Sequence, residues 1–207
     1  MQYFDQEQGT ARENLCRFLA ACYYQPGPEY AEEKVFDSML NVATRIHPDL
    51  AAHARRLGEE FSGAGPDSLL LDYTRLFVGP NHIIAQPYGS SWMSGEGTLM
   101  QDSTLAVEEL YAEGGFEIAE EFRELPDHIA AELEFLYLLI YRENQARRNH
   151  DQKALTETAG LRKRLLDEHL GSWVGPFTTA VRAGAQSDFY RELAQLTDRF
   201  VKLEFSL

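Results

Sequence analysis

The sequence predicts an all-α fold, a bundle of about nine helices. Three observations lead to this prediction. Apolar residues recur at the three- and four-residue spacing of a buried helix face. Gly and Pro pairs separate these periodic segments, and no segment shows the alternating pattern of a strand. The chain has 207 residues, 44% of them hydrophobic, which is enough to bury a core without disulfides or metals.

The first third of the chain is predicted to form four helices. Thr10 and Glu13 have the spacing of a capping box and would close the first turn of the first helix. A Gln-Pro-Gly-Pro stretch at 25–28 ends that helix. Further helices are predicted over residues 29–46, 48–63 and 68–78.

A long loop is predicted over residues 79–97. It contains four Gly and two Pro and follows neither a helical nor a strand period. Loops of this length inside a compact domain are usually functional or disordered. Six of its side chains are too apolar for a linker, so we expect an ordered loop that lies on the helices. These side chains are Ile83, Ile84, Pro87, Tyr88, Trp92 and Met93.

The rest of the chain is again helical. Helices are predicted over residues 99–113, 117–123, 126–149, 152–170, 176–183 and 187–205. Gly114 and Gly115 break the pattern, and we predict two helical layers, 1–115 with its loop and 126–207, within one domain. Residues 116–125 would be the hinge between them, at which two copies of the chain could exchange layers.

Composition excludes several classes of protein. A net charge of −14, from 33 acids and 19 bases, argues against nucleic-acid binding. The first residues lack a basic segment and an apolar stretch, so no signal peptide is expected, and no run is apolar enough for stable membrane insertion. We therefore expect a cytoplasmic protein. Cys16 and Cys22 stand six positions apart in one predicted helix, on different faces, which disfavours a disulfide.

No motif of metal or nucleophilic chemistry is present. None of the six histidines follows a Glu by three residues, and HExxH, CxxC and GxSxG are absent. The turn at 95–98 (Gly-Glu-Gly-Thr) could offer backbone N–H groups to an anion but lacks the phosphate-binding Lys. We therefore predict no catalytic residue and no metal site. The alternative is a small GTP-binding regulatory protein or hydrolase that uses this turn with Asp127 and His128.

The most informative stretch is LPDHIAAELEFLYLLIYRENQ at 125–145. One helical face would carry the core residues Ile129, Leu133, Leu136 and Ile140. Glu132 lies on the flank of that face in line with His128, where an acid would need a partner. Asp127 is predicted in the first helical turn, where the dipole favours an acid. A cationic His is disfavoured there, so His128 is predicted to be neutral.

These residues resemble a family. PDHIAAELEFL at 126–136 resembles the signature of the TorD/DmsD redox-enzyme maturation chaperones. DYTRLFVGP at 72–80 resembles a second motif of that family, and the apolar loop QPYGSSW follows it at 86–92. The stretch HLGSWVGPF, with the last helix, is similar to the TorD branch.

The resemblance implies a chaperone rather than an enzyme. Such a protein binds the twin-arginine signal peptide and/or the apoprotein of a molybdenum-cofactor oxidoreductase, assists cofactor insertion and delays export until folding is complete. Some members bind GTP weakly and some form domain-swapped dimers. The resemblance therefore implies no resident cofactor and either a monomer or a swapped homodimer.

A twin-arginine peptide offers a basic pair followed by an apolar segment. Its receptor needs an apolar groove, predicted from Leu76, Phe77, Pro87, Tyr88 and Trp92. Acids at one end would bind Arg, and the candidates are Asp72, Asp127 and Glu132. The motif match adds His128 to this predicted signal-peptide site. Two alternatives stay open: the aromatic residues anchor the loop on the core, and Asp127 is a helix cap.

Overall fold

The computed structural model describes residues 6–32, 34–79, 83–93, 102–119 and 122–207. Over these residues it is an all-α bundle, as predicted, with a single isolated β-bridge and no strand. It has eleven α-helices, two of them single turns, and one π-helical segment, Thr74–Val78. The helices are α1 Gln6–Ala21, α2 Glu29–Glu32, α3 Val35–Ile46, α4 Pro48–Gly63, α5 Pro66–Tyr73, α6 Ser90–Met93, α7 Asp102–Glu113, α8 Ile129–Arg148, α9 Gln152–Glu168, α10 Leu170–Gly184 and α11 Asp188–Phe205.

One apolar core runs through the bundle. α1 packs between α8 and α3, while α11 packs against both α4 and α10. Helices from before and after residues 116–125 therefore bury their apolar faces against each other. The hinge and the exchange of layers stay predictions. None of the described helices is long and apolar enough to cross a bilayer.

Several predicted helix ends differ from the observed ones. The capping box is wrong, because α1 already begins at Gln6 and Thr10 lies inside it. The predicted helix 29–46 is divided into α2 and α3, with Lys34 in the left-handed region at φ 49°. α4 begins at Pro48 as predicted, and the His47 side chain accepts a hydrogen bond from the N–H of Asp49.

Two segments after the long loop also differ. The described residues of the predicted helix 117–123 are not helical. Gly115 turns the chain at φ 68°, and Phe116 packs edge-on against Phe135 at 5.0 Å between ring centroids. Residue Pro176 does not start a helix but lies inside α10 at an exposed position, where it removes one backbone hydrogen bond of the helix. α10 starts at Leu170 rather than at the predicted residue 176, so it includes Trp173, whose side chain is buried.

Candidate functional site

The loop and the signature motif lie against each other. The N–H of Gly89 donates to the carbonyl of Asp127 at 2.8 Å, and the N–H of Ile129 donates to the carbonyl of Pro87 at 2.8 Å. These bonds form the antiparallel bridge between Tyr88 and His128. Two motifs that are separate in the sequence thus form one structural unit at the start of α8.

The side chain of Asp127 links the signature motif to the loop and to α7 by hydrogen bonds. Its Oδ2 accepts hydrogen bonds from the N–H of Ser90 at 2.7 Å and from the hydroxyl of Thr104 at 3.1 Å. Its Oδ1 has no hydrogen-bond partner among the described residues. The predicted place in the first turn of α8 is wrong, because α8 begins at Ile129. Asp127 instead caps the short helix α6 and ties it to α7.

His128 is the N-cap of α8. Its Nδ1 accepts a hydrogen bond from the N–H of Ala130 at 3.1 Å. Burial lowers the pKa of His128 to about 4, although Glu124 and Asp127 oppose the shift. The lowered pKa and the acceptor role of Nδ1 both agree with the predicted neutral imidazole. Three aromatic rings surround it, with centroids at 5.3, 6.3 and 6.5 Å: Tyr88, Tyr24 and Phe122.

The lowered pKa of His128 predicts a pH dependence of stability. Between pH 6.5 and 4 the unfolded chain binds a proton at this position that the folded chain does not. His128 should therefore lower the free energy of unfolding as the pH falls through this window, by about 3 kcal/mol in total. Urea unfolding at several pH values measures the slope.

His128→Asn is the matched variant, because Asn is a good N-cap and does not titrate. As the pH falls from 6.5 to 4, the wild type should lose stability that the variant keeps. The unfolding free energy of the variant minus that of the wild type should therefore increase. Comparing the two proteins removes the pH dependence that comes from the titratable groups they share. An equal pH slope in both would contradict the buried neutral imidazole.

Glu132 is buried against the loop at Gly89. It is 1% exposed, and the indole N–H of Trp173 donates to its Oε1 at 3.1 Å. Burial raises the pKa of Glu132 well above its usual range, and nearby Asp127 adds to the shift. A Cβ at Gly89 would lie 2.8 Å from the Trp173 Nε1, so only glycine lets the loop pass here. Glu132 thus has one partner, at Oε1, while its buried Oε2 has none among the described residues, and it offers no charge to the surface.

The other predicted site residues lie deeper than an open groove requires. Leu76 and Phe77 are buried in the core. Asp72 binds Arg75 at 2.8 Å and accepts from the N–H of Ser187, the N-cap of α11, at 2.8 Å. Burial alone would raise the pKa of Asp72, but these hydrogen bonds lower it. Its carboxylate already has internal partners.

Trp92 lies half-buried on the loop. Its indole N–H donates to the carbonyl of Gln86 at 2.8 Å, and its ring packs edge-on near Phe177 at 6.2 Å. These contacts are those of a loop anchor. Pro87 is buried as well, whereas Tyr88 is half-buried and keeps part of its ring at the surface.

The exposed part of the site is a tyrosine–glutamate patch formed by Tyr24, Tyr88, Glu124 and Glu134. The hydroxyl of Tyr88 donates to Glu124 at 2.5 Å, and the hydroxyl of Tyr24 donates to Glu134 at 2.8 Å. Both carboxylates are exposed. Carboxylates beside aromatic faces suit a guanidinium group, which forms bidentate hydrogen bonds and stacks on rings.

Sequence reasoning misses most of this patch. Tyr24 lies just after α1, far from the signature motif, and helical projection predicts only a solvated side chain at Glu134. Their contact spans 110 residues of sequence.

The described part of the chain contains no group of three or more His, Cys, Asp or Glu side chains that could hold a metal. The turn at 95–98 lies outside the described residues.

Comparison with known proteins identifies the fold and the family. The fold is that of a redox enzyme maturation protein from Archaeoglobus fulgidus, with a TM-score of 0.57 over 98% of both chains at 22% identity. The family model for the nitrate reductase delta subunit matches residues 43–179. The chain belongs to this family, which includes TorD, and the resemblance to TorD and DmsD is confirmed.

Two relatives show how much of the chain is shared. The chaperone protein TorD of Vibrio parahaemolyticus is 29% identical over 66% of this chain and 62% of its own length. The Tat proofreading chaperone DmsD of Salmonella typhi is 28% identical over 87% of this chain and 82% of its own length. Both relatives are named as chaperones.

Proposed function

We propose that this protein is a cytoplasmic maturation chaperone. It binds the twin-arginine signal peptide and/or the apoprotein of a molybdenum-cofactor oxidoreductase and delays export until the cofactor is inserted. It does so without catalysis and without a resident cofactor of its own. The names of its TorD and DmsD relatives support this function.

The tyrosine–glutamate patch is the observation that carries the proposal. Its two exposed carboxylates lie on the unit that joins the loop to the signature motif. An arginine side chain of the signal peptide can stack on Tyr88 or Tyr24 and bind Glu124 or Glu134. The buried Asp127, His128 and Glu132 then act indirectly, because they hold the patch in place.

Charge-neutral variants of the patch test this proposal. Calorimetry would measure binding of a synthetic peptide that has two consecutive arginines followed by an apolar stretch. Glu124→Gln and Glu134→Gln should each weaken binding by about 1.5–3 kcal/mol, roughly 10- to 150-fold, because each removes a charge-assisted contact. Raising the salt concentration should weaken wild-type binding as well.

Glu59→Gln is the control. It makes the same change in net charge as either patch variant, at an exposed position of α4. We expect it to bind the peptide within about two-fold of the wild type, since distant exposed charges are largely screened. Equal losses in the control and in the patch variants would assign the effect to net charge. A wild-type protein that does not bind the peptide would contradict the proposed function.

A further inference from the structure

A cleft lies beside the tyrosine–glutamate patch, between α8 and the non-helical segment that follows α7. It has a volume of about 220 Å³. Its apolar lining comes mainly from Phe116, Ile118, Phe122, Ala131 and Leu138. Small-molecule sites usually have roughly 300–1,000 Å³. The cleft is therefore sized for amino-acid side chains.

The stretch of sequence that contains the outer wall of this cleft is strongly acidic. Residues 102–124 contain eight acids and one base, so they supply half of the net charge of −14. Glu117 lines the cleft from this wall, and Glu134 lines it from α8. An occupant would thus place apolar side chains between carboxylates. A peptide that is apolar where it enters and basic next to that point fits this surface.

The wall is held in place from the α8 side. The guanidinium of Arg142 lies 3.9 Å from the centroid of the Phe116 ring and donates to the carbonyl of Gly114. The N–H of Phe116 donates to the carbonyl of Tyr111 at 2.9 Å. These contacts fix the start of the wall, which lowers the cost of ordering it on association.

The cleft and the patch are continuous. Glu134 lines the cleft and also accepts the hydrogen bond of Tyr24. Phe122 lines the cleft and lies 6.5 Å, between ring centroids, from both Tyr24 and His128. A peptide bound at the patch through a basic side chain therefore has its neighbouring residues at the mouth of the cleft.

We propose that this cleft receives the apolar side chains next to the arginines of the bound signal peptide. This inference rests on the proposed function and assigns the second half of the same recognition surface. The acidic patch selects the guanidinium groups, and the cleft selects the apolar residues beside them. Neither Leu76 nor Phe77, which lie in the core, is needed as a lining residue.

The test combines two peptides with a cleft-filling variant. One synthetic peptide has two arginines followed by an apolar stretch, and the other has serines in place of the first apolar residues. The wild type should bind the serine peptide roughly ten-fold more weakly, because buried aliphatic side chains are lost. Ala131→Leu, which fills the cleft, should bind both peptides with equally weak affinity. Ala106→Leu, exposed on α7, should behave as the wild type.

The outcomes separate the two proposals. An Ala131→Leu protein that still binds the apolar peptide roughly ten-fold more tightly than the serine peptide contradicts the cleft assignment alone. A wild type that binds neither peptide contradicts the proposed function. If Ala131→Leu unfolds, Ile118→Ser on the outer wall gives the same test, with the same loss of discrimination expected. Binding by Ile118→Ser with full discrimination would overturn the assignment.

Discussion

Glu204→Gln is expected to lower the free energy of unfolding by about 3–5 kcal/mol. Glu204 is 1% exposed and binds Arg12 with both oxygens, at 2.7 Å to Nε and 2.5 Å to Nη2. Arg162 reaches the backbone carbonyl of Glu204 at 3.0 Å and binds the buried Glu143 at 2.7 Å. Removing the Glu204 charge leaves the buried Arg12 without its bidentate carboxylate partner. Urea unfolding measures the loss.

A double variant that removes both charges of the ion pair identifies the cause of the lost stability. The double variant Arg12→Met, Glu204→Leu removes both charges and should recover most of the lost stability, because apolar side chains of similar volume replace a buried ion pair at little net cost. Lys202→Ala breaks an exposed pair with Asp198 and should cost less than about 1 kcal/mol. A small loss for Glu204→Gln would contradict the buried network. Self-repulsion in this acidic chain cannot explain a loss, since removing an acid reduces it.

Asp127→Ala should have the second-largest effect and should change binding as well as stability. The variant leaves the buried N–H of Ser90 and the buried hydroxyl of Thr104 without their acceptor. We expect a loss of about 2–4 kcal/mol in the free energy of unfolding. The loop 83–93 would lose its attachment to α7. Because Tyr88 lies on that loop, binding of the twin-arginine peptide should weaken about ten-fold or more.

Two further variants separate support from direct contact. Asp127→Asn keeps one acceptor oxygen for Ser90 and should lose less stability than the alanine variant. Glu124→Gln should weaken peptide binding while leaving the unfolding free energy within about 0.5 kcal/mol of wild type, because its carboxylate is exposed. Calorimetry and urea unfolding on the same samples compare the two effects. Unchanged peptide binding in Asp127→Ala would show that the loop is not part of the recognition surface.

The sequence predicted the start of a helix correctly where a residue next to that start marks or caps it. α4 begins at Pro48 and α11 follows the Ser187 cap, as their sequences indicate. Prediction failed where packing overrode the local signal. Phe116 packs against Phe135 of α8 and Phe122 lines the cleft beside α8, and neither residue is helical. Pro176 is tolerated inside α10 because burial of Trp173 extends that helix toward its N-terminus.

The sequence by itself determined the all-α fold, the two family motifs and the excess of acids. It also indicated that Glu132 would need a partner. Helical projection also placed Glu134 toward the solvent. Only the tertiary structure decided what surrounds each of the other acids of the site. Asp72, Asp127 and Glu132 are buried and bonded internally, whereas Glu124 and Glu134 are exposed beside tyrosine rings.

The reason is that the environment of a carboxylate depends on the donors and the solvent around it. Those donors come from distant parts of the chain: Trp173 lies 41 residues from Glu132, and Arg12 lies 192 residues from Glu204. Helical periodicity places a side chain on a face of its own helix. The elements that cover that face are fixed only when the helices pack.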